Sequence, residues 1–250
     1  MSSFQFKPFE LAELFDRVVP SLKRKKIRFL ILYSLFILYF SIPSFQIPLL
    51  EYSRIRVTSL MEQRALENYL FYYPKQSWVC IDDVNPNLLR AIISMEDGSF
   101  FSHKGVDWKE IKTSMRINKR RGRAIRGGST LTMQVSKNLY FTTGKSMLRK
   151  AKEFIVAARL EKEVSKKAIL EKYINAAEWG EGIFGVKEAA KIFFNKDPKD
   201  LNKNECCRLA AVLPSPIKHP PNKNSSYVLR RSSIIRGRIS DIVLFPESNL

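Results

Sequence analysis

The chain has 250 residues, 45% of them apolar and 12% aromatic, which leaves room for one sizeable domain with an appendage and excludes general disorder. Its 43 basic residues outnumber 24 acidic ones for a formal net charge of +19, so a polyanionic partner is required: nucleic acid, anionic lipid or a phosphorylated substrate. Three cysteines, two of them the adjacent Cys206 and Cys207, exclude a disulfide framework.

From the N-terminus, the first predicted element is membranous. Residues 29–50, FLILYSLFILYFSIPSFQIPLL, carry no charge and are long enough to cross a hydrocarbon core of about 30 Å. KRKKIR at 23–28 precedes them, and by the positive-inside rule keeps the N-terminus cytoplasmic and exports the rest. Pro43 and Pro48 predict that the regular helix stops near position 42. A signal peptide competes with this reading, but no small-residue cleavage site follows the apolar run. The expected division is a basic cytoplasmic segment at 1–26, a transmembrane anchor at 27–48, a membrane-proximal segment at 49–80 and a folded domain at 81–250. Leu60, Arg64 and Glu67 have helical spacing within the membrane-proximal segment.

Asn85 before Pro86 is a helix-start signal. Leu89, Ile92, Ile93 and Glu96 then fall at i, i+3, i+4 and i+7, so Glu96 projects from the apolar face and Asp97 turns toward its edge. A carboxylate so placed, at a helix end opened by Gly98, loses hydration and gains proton affinity, as a general base requires. A helix-cap partner or a buried ion pair explains the same placement.

Asp107 with Glu110 predicts a capping box for a second helix, turning Ile111 and Met115 inward and showing Lys109, Lys112, Arg116 and Lys119 elsewhere. KRRGRAIRGGST at 119–130 gathers basic residues around glycines, and Ser129 is placed to cap a helix to about Tyr140 that buries Leu131, Val135 and Leu139. Backbone N–H groups at such a helix start suit an anion, although a solvated basic loop reads the same way. A helix from about Ser146 to Glu163 is expected to bury Ala151, Phe154, Ile155 and Ala158, with Arg149 and Glu153 one turn apart. Helices at about 166–176 and 186–194 flank the glycine-punctuated EWGEGIFG, and Asn202 with Glu205 boxes another that ends at Leu213 before a run of prolines. No strand-like alternation persists, so the domain reads as mainly α.

Six stretches carry a resemblance: EDGSFFSHKG at 96–105, RGGSTLTMQVSKNLY at 126–140, RKAKE at 149–153, KKAILEKYIN at 166–175, EGIFGVKEAAKIFF at 181–194 and RLAAVLPSP at 208–216. In this order they resemble the successive blocks of the peptidoglycan glycosyltransferases, glycosyltransferase family 51. The resemblance spans residues 91 to about 221 and is nearest to members without a transpeptidase domain. It implies a lysozyme-like helical glycosyltransferase domain behind one N-terminal transmembrane helix, in a bacterial inner membrane with the domain periplasmic. Lipid II and the growing glycan chain are the implied substrates, so the membrane is a partner and nucleic acid is not. Cell-wall synthesis or division proteins are candidate partners.

By the same resemblance Glu96 is the general base and Glu153 the second essential glutamate, organising cations or a divalent ion, Mg2+ or Mn2+, on the substrate diphosphate. No organic cofactor is implied. Lys137, Lys145, Arg149 and Lys150 match diphosphate-binding positions. Arg126, Gly128, Ser129, Thr130 and Gln134 line the same site, and Asp97, Phe100 and His103 belong to the substrate cleft. Two positions depart from the family: Met133 stands where a glutamine is usual, and Lys145 where arginine is common. Lysine cannot reproduce the bidentate grip of arginine on phosphate. The rival reading is a lytic transglycosylase or lysozyme-type hydrolase, which also works with one glutamate but has no use for a cationic cluster.

Overall fold

A computed structural model describes residues 25–40, 42–43, 46–68, 74–123, 126–144 and 146–246. Lys145 and most of the expected cytoplasmic segment lie outside the described residues. The chain forms two compact units, residues 1–44 and 45–250.

In the first unit, α1 (Lys25–Phe40) is a 16-residue helix whose Phe29, Leu30, Leu32 and Leu35 are exposed. Sixteen residues rise about 24 Å, less than a hydrocarbon core. Among the described residues no helix is long and apolar enough to cross a membrane. The far end of the expected span behaves differently. Pro48–Glu51 is a 3-10 turn, and Ile47 and Leu50 are buried in the second unit, because prolines end the helix and these apolar side chains find a protein core.

The second unit is mainly helical. In chain order its helices are α2 (Ser59–Glu67), α3 (Pro86–Glu96), α4 (Trp108–Arg121), α5 (Leu131–Tyr140), α6 (Met147–Glu163), α7 (Lys166–Ala176), α8 (Val186–Phe194), α9 (Lys203–Val212) and α10 (Ser226–Arg236). Three short strands, β1 (Lys75–Gln76), β2 (Glu178–Gly180) and β3 (Ile183–Phe184), form a sheet of order β1-β3-β2. β1 runs parallel to β3 and β2 antiparallel to it, so EWGEGIFG is a hairpin rather than a plain connection.

Local signals account for most helix starts. Asn85 accepts from the Asn87 amide with Pro86 at the first turn, Ser146 and Ser165 cap α6 and α7, and Asn202 with Glu205 completes a capping box on α9. Asp107 caps α4 through the Glu110 amide, whereas the Glu110 carboxylate turns to Ser114 and Arg126 instead of closing the box. α5 packs between α6, α7 and α2, while α3 packs against α9 and α10. Trp179, Tyr173, Phe184, Leu88 and Ile92 are fully buried among them.

Three inward faces differ from the sequence expectation. On α6 the buried residues are Glu153, Val156, Ala157 and Leu160, whereas Ile155 is exposed and so are Ala151 and Ala158. The helix turns Val156, Ala157 and Leu160 inward as its apolar face, and Glu153 is buried beside them, paired with Arg149 and Lys150 of the same helix. On α4, Met115 is 66% exposed, and Ser114 is the buried residue. Asp97 is buried at the end of α3 rather than lying at its edge, because it is bonded to two other elements.

Candidate active site

Glu96 is the last residue of α3, and its Oε2 accepts from the Gln134 amide nitrogen on α5 at 2.7 Å. It forms no ion pair among the described residues. Burial pushes its carboxyl above the ordinary value; the Gln134 hydrogen bond and the charges of Arg231 and Lys137 oppose that shift, and the charge of Asp97 adds to it. A half-buried carboxylate with one neutral donor and raised proton affinity is equipped to accept a proton.

The next residue does different work. Asp97 accepts from the Leu131 amide at 2.9 Å, at the first turn of α5, and from His103 Nε2 at 2.9 Å. His103 Nδ1 is buried with no hydrogen-bond partner among the described residues. Phe100 is fully buried beneath the Lys166 ammonium, 4.5 Å from its ring centroid, and that ammonium also donates to the His103 carbonyl at 2.8 Å and to Glu161. Phe100 and His103 do not line the cavity that Glu96 lines. Gly105, with φ +84°, closes this loop where a Cβ would come 2.9 Å from the Ala157 carbonyl.

Across α5 the chemistry changes. Thr130 rather than Ser129 is the cap of α5, accepting from the Met133 amide at 3.2 Å and donating to the Gly105 carbonyl at 2.5 Å. That leaves the Ser129 hydroxyl to accept from Lys150 Nζ at 2.9 Å. Lys150 also reaches Glu153 at 3.0 Å, and Arg149 makes a short ion pair with the other oxygen of that carboxylate. Arg149 Nε donates to the Gly144 carbonyl at 2.5 Å. Glu153 is 1% exposed and holds two cations in place from below. Burial lowers the Lys150 ammonium to about 8, helped by repulsion from Arg149 and Lys137. Lys137 forms no ion pair among the described residues. Burial and Arg149 lower its proton affinity, while Glu96 and Glu178 raise it.

Glu96, Asp97, Gly128, Ser129, Thr130, Gln134 and Arg126 line one cavity of about 760 Å³. Gly128 lets the backbone approach α4 closely there, since a Cβ would come 3.0 Å from the Ile111 Cα. Arg126 is exposed and paired with Glu110 at 2.7 Å.

Residues 62–240 match a family model described as Transglycosylase. The chain belongs to the transglycosylase family. It is similar to proteins named biosynthetic peptidoglycan transglycosylase from several bacteria. That of Pseudomonas entomophila (strain L48) is 40% identical over 188 residues, 74% of this chain and 79% of the relative. That of Haemophilus influenzae (strain ATCC 51907 / DSM 11121 / KW20 / Rd) is 40% identical over 192 residues, 75% and 78% of the two. For Dechloromonas aromatica (strain RCB) the identity is 39% over 165 residues, 66% and 71%.

Sequence reasoning missed two residues of this transglycosylase site. Arg231, on α10, lines the cavity beside Glu96. Ser225, Val228, Ser232 and Ile235 give α10 a cap and a buried face, the signal that could have revealed it. Glu178, which faces Lys137 electrostatically, is held by Arg64 through Nε at 3.1 Å and Nη2 at 2.9 Å. No local pattern announces that contact across more than a hundred residues. The donor set does not fit a protein-held divalent ion: both Glu153 oxygens face cations, and no cluster of three His, Cys, Asp or Glu occurs among the described residues.

Proposed function

We propose that this protein is a peptidoglycan glycosyltransferase that polymerises lipid II into β-1,4-linked glycan strands and releases undecaprenyl diphosphate. The observation that carries the reading is a division of labour between two carboxylates: Glu96 forms no ion pair among the described residues and accepts from Gln134, while Glu153 pairs with Arg149 and Lys150.

In the proposed reaction the 4-hydroxyl of the incoming GlcNAc gives its proton to Glu96 as its oxygen attacks C1 of the growing chain. A sugar hydroxyl is too weak an acid to attack unaided, and a positioned base supplies about 10²–10⁴ in rate. The bond from C1 to the diphosphate breaks with inversion. The leaving group needs charge stabilisation and no proton, which Lys137, Arg149 and Lys150 are placed to give. Ser129 and Glu153 keep two of those cations aimed. Lys145 is proposed to join them. A divalent ion is proposed only as a companion of the substrate diphosphate, and no step here depends on it.

A lipid-linked substrate also suits the surface. Trp108, Met115, Met147, Leu148 and Ile155 are exposed along α4 and α6, with Trp108 stacked on Phe154 at 5.7 Å. Lys109, Lys112 and Arg116 share α4 with them, a combination suited to an anionic bilayer. We place the N-terminus in the cytoplasm, an anchor that starts around 27 and ends before Ile47 in the inner membrane, and a lysozyme-like domain in the periplasm. A phosphatase fused after Leu250 should be active in intact cells, and a stable but inactive fusion would overturn this topology.

The deciding experiment incubates purified protein with labelled lipid II, with and without Mg2+. Polymer should form, and purified sacculi should release no soluble muropeptides. Muropeptide release without polymer would establish the lytic alternative instead.

A further inference from the structure

The two cations that act on Glu96 differ in origin and commitment. Lys137 comes from α5, one turn beyond Gln134, and forms no ion pair among the described residues. Arg231 comes from α10, an element outside the blocks that carry the family resemblance. Its Nε donates to the Ala211 carbonyl in the last turn of α9 at 3.1 Å, and its Nη2 to Met95 Sδ at 3.3 Å. Its guanidinium carbon lies 5.2 Å from the centroid of Tyr227, which also stacks on His219 at 3.9 Å. Arg231 is thus held on three sides, lines the cavity with Glu96, and forms no ion pair with it.

Such a cation acts through space. A salt-bridged arginine would bind the carboxylate tightly and spoil it as a base, whereas a fixed, unpaired one favours the ionised form without occupying its oxygens. The other groups facing Glu96 are Asp97 at the end of α3, Lys137 on α5 and the buried Tyr173 phenol on α7, while α9 offers the Ala211 carbonyl to Arg231. Of the two cations, Lys137 makes no side-chain hydrogen bond or ion pair among the described residues, whereas Arg231 is already tied to Ala211 and Met95. Lys137 is therefore taken as the one that engages the substrate diphosphate. Once a diphosphate sits there, the lysine charge is neutralised and the phosphate charge raises the proton affinity of Glu96. A permanently charged guanidinium on another helix is not consumed by that contact.

We propose that Arg231 is a positioning residue that pins the Met95–Glu96 end of α3 and keeps the Glu96 carboxylate ionised after substrate phosphate has engaged Lys137. The proposal rests on the reading of Glu96 as the general base.

The test is the pH dependence of kcat/KM for lipid II polymerisation in wild type, Arg231→Gln and Arg231→Lys. Arg231→Gln should move the acid limb upward by about one pH unit, the scale of one nearby unit charge, with KM within about twofold. Arg231→Lys, which keeps the charge, should bring the limb back toward wild type. An equal loss of rate at every pH would show a merely structural role, and a raised KM with an unmoved limb would show substrate contact; either result overturns the proposal. A second readout needs no turnover: carbon-13 titration of the Glu96 carboxyl, assigned by its loss in Glu96→Gln. The carboxyl pKa should rise in Arg231→Gln, and an unchanged value would also overturn the proposal. Failure of wild type to polymerise lipid II would count against the proposed function, while the titration would still decide the role of Arg231.

Discussion

Glu96 and Glu153 are the same side chain in two surroundings. Glu153 is almost wholly buried and saturated by Arg149 and Lys150; Glu96 is half-buried and has one neutral donor, Gln134. A carboxylate that must take a proton has to remain uncommitted, and one that must aim cations has to be fully committed. The contrast shows that the partners supplied by the fold, rather than residue type, assign the roles.

The strongest way to break that comparison is to remove the carboxylate from each side in turn. Glu96→Gln is isosteric and should lower polymerisation by about 10³-fold, within the range of general-base losses, with lipid II binding retained. Near-normal polymer yield on a gel of labelled glycan would remove Glu96 from the chemistry. On the other side, Lys137→Ala or Arg149→Ala should each lower kcat/KM by about 10²-fold, the scale of one lost charge-stabilising group. Glu153→Gln should match them without touching substrate, because it releases two cations that then repel each other and Lys137. If Glu153→Gln behaves like wild type, the cations are aimed by something else.

The two sides should also separate by pH. Because burial raises the Glu96 carboxyl, the rate should fall roughly tenfold per pH unit once the pH drops below that raised value. Because Lys150 is lowered to about 8, lipid II binding should weaken as pH climbs through that value, and Lys150→Arg should remove this alkaline loss. Binding titrations at pH 7 and 9 for both proteins check it. Smaller in rate but visible in stability is Asp97→Ala. It strands the Leu131 amide and His103 Nε2, and should cost about 2–4 kcal/mol by urea denaturation. Asp97→Asn, which keeps one acceptor, should cost less. The smallest effect is expected from Ser129→Ala, a few-fold in rate, since Lys150 still has Glu153.

Helix identity was written locally. Asn85 with Pro86, Ser146, and Asn202 with Glu205 each satisfy backbone groups within a few residues, so the chain announces those starts without reference to the rest of the fold. The order of blocks from Glu96 to Pro216 likewise identified the family. Local periodicity fared worse where a helix could turn. The residues Ala151, Phe154, Ile155 and Ala158 read as the core face of α6, yet Val156, Ala157 and Leu160 are buried with Glu153 and Ile155 faces outward, because the helix has two apolar faces and the packing of its neighbours chooses between them.

Tertiary structure alone decided the remaining assignments. Thr130 displaced Ser129 as the cap because the Gly105 carbonyl lies within reach of its hydroxyl, and this frees Ser129 for Lys150. Phe100 is buried away from the cavity that Glu96 lines, and Asp97 became a buried tie between the end of α3 and the start of α5. Arg231 and Glu178 came to the site by packing: the pattern of α10 announces a helix but not its neighbour Glu96, and no local pattern announces the contact of Glu178 with Arg64. The reason is common to all four: capping and periodicity are satisfied within one turn of chain, whereas the proton affinity of a carboxylate depends on charges and burial contributed by distant helices, and these exist only once the chain has packed.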